Sequence, residues 1–165
     1  MAVSIGKRSY EALNKQITEE FASGYLYIAM SSVFKDMGLD GCASWIMQQS
    51  QERCRDAMKI YDHMQQRSAK IKLLPIPAPK QEWRAPLHIF EEVMRNTQKN
   101  TQCISGIYEL SMAEKDYQTQ SFIMWFISKQ VEEEAQISSI LDRLRKMQST
   151  ELGVLIFDAE LGKKV

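Results

Sequence analysis

The chain has 165 residues, 44% of them hydrophobic and 25% charged, enough for one domain with a sizeable core and too short for two of ordinary size. Twenty-one basic residues balance twenty-one acidic ones, which excludes the electrostatic footprint of a nucleic-acid binder or a basic membrane-surface protein. Seven Gly and four Pro argue against disorder and turn-rich β architecture, while ten Met among many Gln, Glu, Lys and Leu favour an all-α class.

The first residues, MAVSIGKRSYEALNKQ, carry charges where a signal peptide has its apolar core. No later stretch approaches the roughly 18 uninterrupted apolar residues of a membrane span, so a cytoplasmic location is expected. A first helix is predicted over 8–36, where Leu13, Ile17, Phe21 and Tyr25 recur every four residues and Leu13, Tyr27 and Phe34 share heptad spacing. MGLDG ends it. A second helix over 42–69 carries Cys42, Ile46, Ile60 and Met64 on one stripe and stops before IKLLPIPAPKQEWRAP, whose four prolines forbid continuous helix. A third, over 86–115, opens on Pro86, whose missing N–H would be unpaired in a first turn anyway. A fourth spans 118–147, and GVLIFDAELG predicts a short fifth over 153–161 whose apolar residues need a partner surface.

Helices of about 30 residues are about 45 Å long, which is bundle geometry. Short links force antiparallel neighbours within the first and the last pair. The connection of about fifteen residues between helices two and three can span the bundle, giving one long crossover. The chain as a whole, 1–165, then reads as a single domain.

Each apolar stripe is interrupted by polar residues. The first helix places Glu20 and Tyr27 on the line of Leu13 and Phe34, and the second places Gln49, Arg53 and Asp56 between Ile46 and Ile60. The third runs Phe90, Val93, Thr97, Thr101, Ile104, Tyr108, and the fourth Ile123, Phe126, Gln130, Glu133, Ile137, Ile140, Leu144. A polar group buried without a partner costs several kcal/mol, so four interruptions at one level predict an interior polar set. Interior carboxylates from facing helices are how a bundle builds a di-iron site. Here Arg53 lies among Glu20, Asp56 and Glu133, and three carboxylates against one guanidinium leave a formal charge of minus two.

At these residues the sequence resembles the non-haem ferritins of bacteria and archaea. The similarity covers nearly the whole chain, through ALNKQITEEFASGYLYIAMS, GCASWIMQQSQERCRDAMKIYDHM, IPAPKQEW, EKDYQTQSFIMWFISKQVEEEAQISSILDRL and LIFDAELG. It implies a ferritin-like bundle in a hollow shell of twenty-four subunits that stores ferric mineral, with a ferroxidase centre inside each bundle. By the same resemblance Glu20, Tyr27, Gln130 and Glu133 stand at that centre. The family's Glu-Glu-x-x-His is Glu52, Arg53, Cys54, Arg55, Asp56 in this chain, so Arg53 replaces the metal-bridging glutamate and Asp56 the histidine. Thr97 stands where the third helix would carry a glutamate. In the accessory iron site Glu52 and Glu132 remain, and Lys129 replaces a glutamate.

A fixed cation between two metal positions repels both ions, so the centre is expected to be disabled, with Asp56 as the bidentate partner of Arg53 one turn away. Residual weak metal binding would fall to Glu20, Asp56, Gln130, Glu133, Glu52 and Glu132. The expectation is a shell subunit that stores iron with little or no oxidation of its own, by mineral growth or by co-assembly with an active subunit. Two alternatives stand beside it: a ferroxidase with a rearranged site, and a cage with a structural role and no iron. The methionines, Met30, Met47, Met58 and Met124 among them, read as core filler and not as haem ligands. Cys42, Cys54 and Cys103 read as small buried apolar residues, and with only His63 and His88 no zinc site or hydrolase constellation is signalled.

Overall fold

The computed structural model describes residues 4–165, which form α1 (Lys7–Asp36), α2 (Asp40–Gln66), α3 (Pro86–Ala113), α4 (Tyr117–Met147) and α5 (Glu151–Gly162). No strand occurs among the described residues. Long helices with apolar stripes bury them against one another, and α1 packs on α2 and α3 on α4, with α1 meeting α3 across the bundle. Residues 67–85 are the long crossover, and α5 packs on α2 and α4. The architecture is the expected all-α four-helix bundle with a short fifth helix.

Local chemistry fixes the helix ends. After Met37, Gly38 adopts φ 73, a left-handed turn that glycine takes without strain. The second helix stops at Gln66, three residues before the predicted end, because Ser68 turns left-handed at φ 55 and Ala69 N–H returns to Met64 O at 3.0 Å. Asp116 caps α4 by accepting Thr119 N–H, and Thr150 caps α5 by accepting Gly153 N–H. Two other helices borrow caps from far away. The Glu114 carboxylate accepts the N–H groups of Arg8 and Ser9 at the start of α1, and Asp158 of α5 accepts those of Gly41 and Cys42 at the start of α2.

The crossover is pinned at both ends. Tyr10 donates its hydroxyl to Lys70 O, Asn14 Oδ1 accepts Lys72 N–H, and the buried Trp83 donates its indole N–H to Glu92. Leu73, Leu74 and Ile76 between these anchors stay exposed.

One predicted stripe is corrected by the structure. Tyr25 is 49% exposed, because each four-residue step overshoots a full turn by about 40°, and three steps from Leu13 carry it off the core face. On α5, Phe157 is buried and Val154 half-buried, whereas Leu155 and Ile156 face outward. Of the thiols, Cys42 is buried as expected, but Cys54 and Cys103 are only half-buried.

The buried apolar residues fall into two clusters. One gathers Tyr27, Phe34, Trp45, Phe90, Leu144 and Phe157; the other gathers Leu13, Ile17, Ile60, Ile104, Ile123 and Phe126. Glu20, Arg53, Asp56, Thr97, Gln130 and Glu133 each lie, along their own helix, between the two.

Candidate functional site

That intervening layer brings together Glu20 of α1, Arg53 and Asp56 of α2, Thr97 of α3, and Gln130 and Glu133 of α4, as the interrupted stripes predict. Arg53 is at its centre. One guanidinium nitrogen is 3.3 Å from Glu20 Oε2, and the other is 3.2 Å from Asp56 Oδ2 and pairs with Glu133 Oε1. Burial alone would lower the pKa of Arg53, but Glu20, Glu133 and Asp56 around it raise it, so it is a permanent cation.

Asp56 departs from its expected role as the bidentate partner of Arg53, which meets it through one nitrogen and Oδ2. Lys129 Nζ, on α4, lies 2.7 Å from each Asp56 oxygen, 3.5 Å from Glu52 Oε2 and 3.7 Å from Glu133 Oε1. A lysine side chain is long enough to reach inward from the edge of the bundle, and it brings a second cation into the layer. Glu20, Asp56 and Glu133 against Arg53 and Lys129 then sum formally to minus one. Burial and the neighbouring Asp56 push the Glu20 and Glu133 carboxyls above their ordinary range, against the pull of Arg53.

Amides complete the layer, and the stripe reading missed two of them. Glu20 Oε1 accepts Nε2 of Gln16 at 2.9 Å and Nδ2 of Asn100 at 3.0 Å, and Asn100 also donates to Gln130 Oε1 at 3.2 Å. Gln16 sits one turn before Glu20, and Asn100 three residues after Thr97. Following the alternate three-residue step from Thr97, instead of the four-residue step to the half-buried Thr101, locates Asn100. The Thr97 hydroxyl donates to Val93 O at 2.9 Å. The Thr97 carbonyl accepts Gln130 Nε2 at 3.0 Å, and the same amide reaches Thr101 Oγ1 at 2.9 Å. Tyr27 is buried, its hydroxyl accepting Asn96 Nδ2 at 3.1 Å; burial pushes its pKa up. Glu132 is exposed and has no ion pair or hydrogen bond to this set, because it lies about 100° around α4 from Glu133.

The layer does not fit a pair of iron ions. Glu20 takes three N–H donors, Asp56 is occupied by Lys129 and Arg53, and Glu133 by Arg53. Among the described residues no three His, Cys, Asp or Glu side chains converge closely enough to hold an ion, and no buried side-chain nitrogen or oxygen lacks a partner. A small pocket of about 10 Å³, bordered by Tyr27, Gln49, Arg53, Thr97 and Glu133, leaves room for about one water.

The sequence profile of the ferritin family, described as a ferritin-like domain, matches residues 10–147. A bacterial non-heme ferritin of Bacteroides fragilis is 32% identical over 160 residues, covering 97% of this chain and 99% of the relative. A bacterial non-heme ferritin of Staphylococcus saprophyticus is also 32% identical, covering 97% and 96%. Among solved structures, an open pore ferritin of the archaeon Archaeoglobus fulgidus superposes with a TM-score of 0.94 at 38% identity, covering 96% of this chain and 98% of that one. A closed form of that ferritin, engineered by site-directed mutagenesis, gives 0.93 at 38%, covering 96% and 97%. A bundle with one long crossover, a polar layer at mid-height and relatives matched from end to end leave one assignment: the chain belongs to the ferritin family.

Proposed function

We propose that this chain is the subunit of an iron-storing cage and has no working ferroxidase centre of its own. The observation that carries the reading is the Arg53 guanidinium, shared among Glu20, Asp56 and Glu133. A ferrous ion entering there meets a fixed positive charge about 3–4 Å away, in a medium that screens less than water. It would also have to displace three donors from Glu20. Of the residues that hold ferroxidase positions by resemblance, Glu20 and Glu133 pair with Arg53, Gln130 bonds Asn100, Thr97 and Thr101, and Tyr27 bonds Asn96. Iron is then cargo: it enters a cytoplasmic shell of twenty-four subunits and grows as ferric mineral inside it, with oxidation left to solution or to active subunits that co-assemble.

Rapid mixing of the purified protein with ferrous iron and oxygen tests this. The expected result is oxidation close to the uncatalysed rate in the same buffer, with iron retained by a high-mass assembly after aerobic loading. A fast phase saturating at a small whole number of irons per subunit would overturn the reading in favour of a rearranged ferroxidase. A protein that neither assembles nor retains iron would overturn the storage role.

A further inference from the structure

No further inference is drawn: the strongest candidate, the open pocket of about 710 Å³ between the end of α1, the crossover and the start of α3, is lined by Lys80, Arg84 and Arg95 against Asp36, Glu82 and Glu91, so its charges cancel, and nothing in the structure shows what covers it.

Discussion

Asp158 of α5 accepts the backbone N–H of Cys42 at 2.7 Å, so the last helix of the chain caps the first turn of α2 across 116 residues. The contact is permitted by Gly41, where an added Cβ would stand 2.0 Å from the carbonyl oxygen of Asp158. Sequence-distant caps of this kind couple the docking of a terminal helix to the integrity of another.

Asp158→Ala is expected to lower stability by about 1 kcal/mol, the usual loss for a helix cap. Gly41→Ala should lower it further, because backbone and not a pliable side chain must move. Gly106, inside α3 with nothing within 4 Å of an added Cβ, gives the opposite sign, and Gly106→Ala should add about 0.5–1 kcal/mol. Urea unfolding midpoints of the three variants check the order.

Arg53→Ala should destabilise by about 3–5 kcal/mol, since removing the shared partner leaves Glu20, Asp56 and Glu133 buried and mutually repelling. Denaturant unfolding in metal-free buffer measures it. A variant as stable as the parent would show that the guanidinium is not the counter-ion of the layer.

Arg53→Glu combined with Asp56→His and Thr97→Glu supplies the ligands that the family resemblance implies. Its thermal midpoint should rise on adding ferrous or zinc ions, by an amount equivalent to about 2.7 kcal/mol at a hundredfold excess over Kd, while the parent's stays fixed. Lys129 loses its Asp56 partner in that variant, and adding Lys129→Gln should enlarge the metal response. Differential scanning calorimetry with and without metal resolves both effects.

Acid should weaken the α2–α4 contact through two groups. Burial raises the Asp116 carboxyl, but the Thr119 hydroxyl and N–H and the Arg67 guanidinium outweigh it and leave it below its ordinary 3.8. Its contribution is complete above that value and disappears as pH falls through the lower folded one. Burial, then the Arg67 charge, hold His63 below 6.5, so its folded form resists protonation and stability starts to fall as pH drops through about 6.5. The stability advantage of the parent over Asp116→Asn should therefore narrow below about pH 4, and His63→Gln should remove the loss near pH 6. Urea midpoints across this range provide the measurement.

Helix number, order and the polar interruptions were legible because 3.6-residue periodicity survives in Leu13, Glu20, Tyr27 and Phe34 on α1 and from Ile123 to Leu144 on α4. Which polar residues meet was less so. Lys129 lies at the edge of its helix's inward face, and only its length takes the ammonium to Asp56; periodicity registers the direction of a Cα–Cβ bond, not the reach of a flexible chain. Asn100 and Thr101 compete for one inward position, and spacing alone does not rank them. The caps at Glu114 and Asp158 depend on how chain ends fold back, which no local pattern encodes.

The charged layer that divides the two apolar clusters also sets how the helices align lengthwise. Leucine and isoleucine stripes tolerate a slide of one helical turn, about 5.4 Å, because one aliphatic contact replaces another. Arg53, Asp56, Lys129 and Glu133 do not: a one-turn slide of α4 brings Lys129 or Ile137 to the level of Glu133, so Arg53 meets a like charge or an aliphatic side chain. Misaligned bundles therefore bury uncompensated ions, and the layer favours a single lengthwise register.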